Sequence, residues 1–238
     1  MSALVYNGHD LSAYVTAELV EPAGHALEPR ALAVPGRPGA VLLGSELPPR
    51  VLAVRLFLDA GASLSASQRS EVRHRLYGWL VAPGGGELAI SGEPGLAWRD
   101  AVVTGVTAWD SLFEDGSCEV EFTCFDPVAY GAERASAGTA LAVGGTWATW
   151  PTVTLAAAAG PSVRVADELG RYVLVERAFS AGDEVVMDFA AETVTVGGAD
   201  ASADVAVEST FFSLAPGAHT LAFSGCSAHT VAWRERWL

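Results

Sequence analysis

The stretch Cys118–Gly131, CEVEFTCFDPVAYG, decides how this sequence folds. Its first half alternates apolar residues with mostly polar ones, and a period of two places each set on one face of a β-strand. The apolar face consists of Cys118, Val120, Phe122 and Cys124. Asp126-Pro127 then ends the pattern, because proline lacks the backbone N–H that a sheet ladder requires. The stretch therefore predicts a core strand followed by a sharp exit.

A small, polar segment without periodicity follows this exit and predicts a linker between two domains. We assign residues 1–131 to an N-terminal domain, residues 132–143 to the linker, and residues 144–238 to a C-terminal domain. The 238 residues suffice for two hydrophobic cores, since domains of roughly 100–130 residues fold on their own.

The N-terminal domain is predicted to be β-rich and sandwich-like, with one helix. Asn7-Gly8 predicts a hairpin turn within residues 4–20, because both residue types tolerate positive φ. Arg50–Asp59 is a second alternating strand. Ser65 and Gln68 have the spacing of a capping box and predict the start of a helix. The residues that this helix is expected to bury against a sheet are Val72, Leu76 and Trp79.

A proline- and glycine-rich segment, residues 21–49, lies between these elements. Within it, the apolar pieces Ala31–Val34 and Ala40–Leu43 flank a tight turn, which predicts a long β-hairpin arm. Such an arm has few partners in its own domain, so it predicts a contact with another subunit. A plain surface loop is the alternative. The candidate interface residues are Ala31, Val34, Pro35, Gly36, Arg37, Pro38, Gly39 and Val41.

The C-terminal domain is predicted to be an antiparallel β-sandwich or jelly roll. Short apolar stretches recur about every 8–12 residues, separated by glycine- and proline-containing turns, which is typical of such folds. The predicted strands are Pro151–Ala156, Val163–Val165, Tyr172–Glu176, Glu184–Phe189, Thr193–Val196, Asp204–Val207, Phe211–Leu214, His219–Phe223 and Thr230–Trp237.

The composition excludes several classes of function. The net charge is −14, with 28 acidic residues against 14 basic ones, all of them arginine. This balance argues against a nucleic-acid-binding protein, which needs clustered cations, and against binding to an anionic membrane. No apolar run reaches the roughly 18 residues that span a bilayer. We expect a soluble protein whose three cysteines, Cys118, Cys124 and Cys226, stay reduced.

The sequence contains no recognisable catalytic motif and predicts neither an enzyme nor a bound cofactor. His219, Cys226 and His229 form a loose set that lacks the fourth ligand and the tight spacing of a zinc site. Two tryptophans, Trp147 and Trp150, are candidates for a glycan-binding platform. Core packing or a contact between domains is the alternative for both.

The whole chain resembles the distal tail protein (Dit) family of long-flexible-tailed bacteriophages. The order and spacing of several short motifs carry this resemblance, and no single motif is specific. These motifs are Tyr6-Asn7-Gly8 with Asp10-Leu11, the arm turn Val34–Gly39, the helix end Leu76–Leu80, Phe122–Gly131, and the C-terminal Trp233–Trp237.

The resemblance implies a non-enzymatic structural hub at the virion tail tip, assembled in the host cytoplasm. The family forms a hexameric ring, in one or two layers, between the tail tube protein and a tail-associated spike or lysin protein. The N-terminal domains build the ring around the DNA channel, without sequence-specific DNA binding. The C-terminal domain is galectin-like and can carry a receptor-binding protein. We further hypothesise that carboxylates lining the channel let DNA slide, so that neutralising them would slow DNA ejection.

A function of a different class remains open from the sequence alone. The C-terminal sandwich could act as a carbohydrate-binding or receptor-binding module, because a β-sandwich fold does not fix function. A glycan array would distinguish this module from a hub, and so would the mass of the protein in solution.

Overall fold

The structure, a computed structural model, describes residues 3–21, 26–59, 64–107 and 109–238. The chain divides into two units. Unit 1 comprises Met1–Tyr130 together with Leu238, and unit 2 comprises Gly131–Trp237. The predicted mainly-β fold class is confirmed. Within the described residues, no helix combines the length and the apolar character needed to cross a membrane.

Unit 1 contains nine complete strands and two helices in its described part. The strands are β1 (Leu4–Tyr6), β2 (His9–Asp10), β3 (Val15–Glu21), β4 (Glu28–Ala33), β5 (Ala40–Glu46), β6 (Arg50–Leu58), β7 (Gly86–Ile90), β8 (Ala97–Thr107) and β9 (Ser117–Cys124). The helices are α1 (Ala66–Leu80) and α2 (Ser111–Glu114). Seven of the strands pair in the order β3-β6-β9-β8-β7-β1-β2, and β4 pairs only with β5.

Strand β9, which contains the first half of the stretch Cys118–Gly131, lies between β6 and β8. Its predicted apolar face is confirmed, because Cys118, Val120, Phe122 and Cys124 are all buried. Buried residues face each other across the β6–β9 pair, for example Val54 opposite Val120. Such cross-strand pairs stabilise a sheet and fix its register.

Helix α1 begins at the predicted capping box. The Ser65 hydroxyl accepts from the Gln68 amide, and the Gln68 side chain accepts from the Ser65 amide at 2.9 Å. The prediction for the buried stripe was correct for Val72 and Leu76 but not for Trp79. Leu80 completes the stripe, while Trp79 is half-buried and stacks on the His9 ring, with centroids 5.0 Å apart.

The predicted turn at Asn7-Gly8 joins β1 to β2. Both residues have positive φ, 48° and 77°, as the tightest hairpin turns require. The strand that follows the turn is shorter than predicted, since β2 ends at Asp10 and a 3-10 turn at Leu11–Ala13 precedes β3. The Asp10 carboxylate caps this turn by accepting from the Ser12 amide.

Unit 2 is an antiparallel arrangement of short strands. The strands are β10 (Ala129–Ser136), β11 (Ala140–Val143), β12 (Thr152–Ala157), β13 (Gly160–Ala166), β14 (Tyr172–Phe179), β15 (Glu184–Asp188), β16 (Thr193–Val196), β17 (Ala199–Asp200), β18 (Gly217–Thr220), β19 (Ala222–Ser224) and β20 (Cys226–Trp237). One sheet has the order β17-β16-β15-β12-β20-β10, another the order β14-β13-β19, and β11 pairs with β18.

The core of unit 2 lies between these sheets, because both contribute alternate residues to one cluster. Val153 and Leu155 of β12 and Val231 of β20 come from the larger sheet, and Val163 and Val173 come from the smaller one. All five side chains are completely buried. This arrangement is a two-layer sandwich, as the sequence predicted.

Three details of unit 2 differ from the sequence predictions. His219–Phe223, predicted as one strand, is divided between β18, which pairs with β11, and β19, which pairs with β13. Residues 132–143, predicted as a linker, contain the end of β10 and all of β11. Asp204–Val207 and Phe211–Leu214, predicted as strands, make only single bridges, Val205 with Val175 and Leu214 with Thr149. Val205, Phe211, Phe212 and Leu214 belong to or pack against the core, whereas Val207 is exposed. Neither segment pairs with another strand along its length.

Candidate interaction surface

The predicted hairpin arm is present as the two-stranded ribbon β4–β5, residues 28–46. Its turn is of type II, with Pro35 at the second position and Gly36 at the third, where φ is +79°. The turn is closed by the Arg37 amide, which donates to the Val34 carbonyl at 3.1 Å. At the base of the arm, Arg30 and Glu46 form an ion pair at 2.6 Å.

The arm is exposed along its whole length. Every residue of 26–40 is exposed, and Val41 is half-buried. Leu32, Leu42 and Leu43 leave between 54% and 67% of their surface open to solvent. Of the candidate interface residues, Ala31 lies in β4, Val41 lies in β5, and Val34–Gly39 form the turned tip. A two-stranded ribbon is marginal in water by itself, so this apolar surface calls for a partner.

A second apolar surface of unit 1 was not predicted from the sequence. It is a groove of about 250 Å³ between the end of α1 and strand β8. Tyr77, Val81 and Val106 line it and remain substantially exposed. Trp109 also lines it, with its ring 6.1 Å from that of Tyr77. The sequence contains one indication of this groove. Tyr77 and Val81 are apolar, but they do not belong to the row of residues that α1 buries, namely Val72, Leu76 and Leu80.

Three acidic residues follow Trp109 closely in the sequence. Asp110, Glu114 and Asp115 are all exposed. Arg73 lies 3.3 Å from Asp110 and its guanidinium stacks over Phe113. Arg73 thus links α1 to the segment that follows Trp109.

The predicted glycan platform consists of two half-exposed tryptophans in unit 2. Trp147 and Trp150 leave 37% and 40% of their surface exposed. The Trp147 amide donates to the Arg236 carbonyl at 3.0 Å, which fixes its backbone. The role of these rings in glycan binding stays a prediction.

His219, Cys226 and His229 take up separate structural roles. His219 Nε2 donates to the Ala215 carbonyl at 2.7 Å, and Nδ1 lies 2.8 Å from Glu168. His229 stacks on Phe223, with centroids 3.9 Å apart. Among the described residues, no group of three or more His, Cys, Asp or Glu side chains is arranged to hold a metal ion.

The cysteines are free thiols in the described structure. Burial raises the pKa of the Cys118 thiol to about 11 and that of the Cys124 thiol to about 12. Burial also raises the pKa of Cys226. Because the thiolate is the reactive form, these groups are inert side chains of the core at neutral pH.

The comparisons with known proteins agree with the sequence resemblance. Residues 144–237 match the family model described as siphovirus-type tail component, C-terminal domain. The resemblance to the distal tail protein family, predicted from the sequence, is confirmed. A comparison with curated proteins finds no match.

Solved structures of tail components share the fold of the whole chain. The crystal structure of SPP1 Dit, described as a paradigm of the hub adsorption apparatus in phages that infect Gram-positive bacteria, matches with a TM-score of 0.84. The alignment covers 100% of both chains at 18% identity. The phage P2 baseplate in its activated conformation, with calcium and with strontium, matches with a TM-score of 0.51. Those alignments cover 99% of this chain and 98% of the other at 10% identity.

Proposed function

We propose that this chain is the structural hub of a siphophage tail tip, where six copies form a ring. The observation that carries the proposal is the arm, an exposed apolar ribbon on the same chain as a siphovirus-type tail component domain. The likeness in fold to SPP1 Dit, described as a hub protein, supports the same role. The hub has no enzymatic activity in this account.

The two units have different roles in the proposed hub. Unit 1, corresponding to the predicted domain 1–131, builds the ring through its arms, and DNA passes through the central channel. Unit 2, a galectin-like sandwich, faces outward and carries receptor-binding components. The partners above and below the ring are the tail tube protein and the tail-associated spike or lysin protein. Assembly takes place in the host cytoplasm, and the mature location is the virion tail tip.

Deleting the arm tests this proposal. Removing Arg30–Val41 takes away residues that are exposed or, for Val41, half-buried, and the described core of unit 1 contains none of them. We therefore expect a folded protein, with unchanged thermal unfolding to within a few degrees, that is monomeric. Light scattering measures the mass, and circular dichroism checks the fold.

The control is Val207→Ala, a change in unit 2 at a residue that is 97% exposed. This control is expected to assemble as the natural chain does. An arm-deleted protein that still elutes and scatters as a ring would overturn the role of the arm.

A further inference from the structure

We propose that Asn7 is a modification site, where the side-chain amide is lost spontaneously as ammonia and an acidic residue takes its place. Asn7 is the one asparagine of the chain, and Gly8 follows it directly. Both residues are exposed at the turn between β1 and β2. The site does not depend on the proposed hub and goes beyond it.

The reaction joins a backbone nitrogen to the side chain of the preceding asparagine. The Gly8 nitrogen attacks Cγ of Asn7, the C–N bond of the side-chain amide breaks, and ammonia leaves with the proton of the Gly8 amide. The product is a five-membered cyclic imide. Water then opens this imide at one of its two carbonyl groups and yields aspartate or isoaspartate. The reaction needs no oxidant, reductant or enzyme.

The structure leaves both reacting groups free of competing hydrogen bonds. Within the described residues, neither the Asn7 side-chain amide nor the Gly8 N–H has a hydrogen-bond partner. The backbone amide of Asn7, in contrast, donates to the Glu87 carbonyl at 2.9 Å. Glycine has no Cβ that would shield its nitrogen. Apart from the chain neighbours of Gly8, no heavy atom lies within 4 Å of the position that such a Cβ would occupy. The attacking nitrogen is therefore accessible.

The hairpin around this turn can open at a small cost in free energy. Opening is needed because the Asn7 side chain must rotate until Cγ lies against the Gly8 nitrogen. Strand β2 has two residues and is the last strand of its sheet, so it pairs on one side only. Short elements at the edge of a fold open locally without unfolding of the core. The reactive conformation is thus accessible to the folded protein.

The two products differ in their effect on the turn. Aspartate keeps the backbone and tolerates the positive φ of 48° at this position, so it adds one negative charge and preserves the fold. Isoaspartate adds a methylene group to the main chain of a two-residue turn. Tyr6 and His9 then no longer lie opposite each other, as they do in the β1–β2 register. We expect the isoaspartyl chain to lose β2 and the stack of His9 on Trp79.

The test uses the full-length protein and follows its charge. The only other side-chain amide of the chain belongs to Gln68, so an acidic shift has few possible sources. The natural chain is incubated at neutral and at mildly alkaline pH and is analysed by isoelectric focusing and peptide mass mapping. We expect a species with one additional negative charge, which forms faster at alkaline pH because the deprotonated Gly8 nitrogen is the nucleophile. Mapping should find aspartate and isoaspartate at residue 7.

Two references are incubated in parallel. Asn7→Asp has no amide at this position and should show no acidic shift. The natural chain unfolded in guanidinium chloride shows the reaction in the absence of the turn. The proposal is wrong if the folded chain stays unmodified while the unfolded chain converts, if the N7D variant shifts as the natural chain does, or if mapping places the change at Gln68. None of these results alters the test of the hub, which rests on the mass of the assembled protein.

Urea unfolding of the two products, separated by ion exchange, tests the effect on the hairpin. The isoaspartyl chain should unfold at a lower urea concentration than the aspartyl chain, and N7D should match the aspartyl chain. Equal midpoints for the two products would show that the hairpin survives the added methylene group, and the expected loss of β2 would be wrong.

Discussion

At the residue scale, Asp167 is the most constrained carboxylate of unit 2. Its side chain is 1% exposed and accepts from the amides of Leu169 and Arg171, at 3.0 and 2.8 Å. It also accepts from the Arg171 guanidinium at 2.7 Å. The turn Asp167–Gly170 therefore depends on one side chain for its shape.

Replacing this residue should destabilise the fold. Asp167→Ala leaves two amides and a partly buried guanidinium without their acceptor, so we expect a loss of about 2–3 kcal/mol in the free energy of unfolding. Urea unfolding followed by circular dichroism measures it. The control is Asp200→Ala, at the exposed end of β17 where Asp200 accepts from Ser202, and its expected loss is clearly smaller. Equal losses for the two variants would contradict this account.

The neighbouring Glu168 gives unit 2 a pH dependence. Its own backbone amide, His219 and the Thr220 amide hold the pKa of the Glu168 carboxyl below its ordinary value. A carboxyl whose pKa is lower in the folded than in the unfolded chain stabilises the fold at pH values above the unfolded pKa, roughly 4.3. This contribution is lost as pH falls through the lower, folded-state pKa.

We therefore expect Glu168→Gln to change how stability responds to acid. The variant should be less stable than the natural chain at neutral pH, and the difference should shrink as the pH falls below about 4. Urea unfolding at a series of pH values measures the difference. A constant difference across the series would show that Glu168 acts only through neutral hydrogen bonds.

At the scale of single elements, helix α1 is stabilised by the capping box at its first turn. Ser65 and Gln68 cap each other's backbone amides at the first turn. Ser65→Ala should cost about 1 kcal/mol of stability, because an orphan amide loses its acceptor. Thermal and urea unfolding measure the effect. The same substitution at the exposed Ser70, inside the helix, serves as the control. There alanine is neutral or slightly stabilising, and a loss at Ser70 as large as that at Ser65 would argue against the cap.

Local patterns in the sequence were sufficient to predict strand β9 and the start of helix α1. The alternation of β9 and the capping box of α1 depend on neighbours within a few residues, so they could be recognised without the structure. The strand predicted at Asp204–Val207 was wrong because strand formation also needs a partner ladder, and only Val205 finds a bridge there. Trp79 was predicted to be buried, but its ring instead stacks on His9, which lies far away in sequence.

The candidate interaction surface also contains one part that the sequence could predict and one part that it could not. The arm could be predicted because its two apolar pieces and its turn lie in one continuous segment. The groove could not, because Tyr77 and Val81 come from the end of α1 whereas Val106 comes from β8. No local pattern joins two segments that are brought together only by folding.

At the scale of the whole molecule, the net charge of −14 opposes self-association. Copies of the chain repel one another at long range, although salt screens this repulsion. A stable ring therefore needs short-range contacts that outweigh the repulsion. The exposed apolar arm is our candidate for such a contact.

The mass of the full-length protein in solution tests the hub most directly. Sedimentation equilibrium or light scattering determines this mass without dependence on molecular shape. We predict six times the mass of one chain, or twelve times if two rings stack. A mass equal to that of a single chain at every concentration tested would contradict the proposed ring.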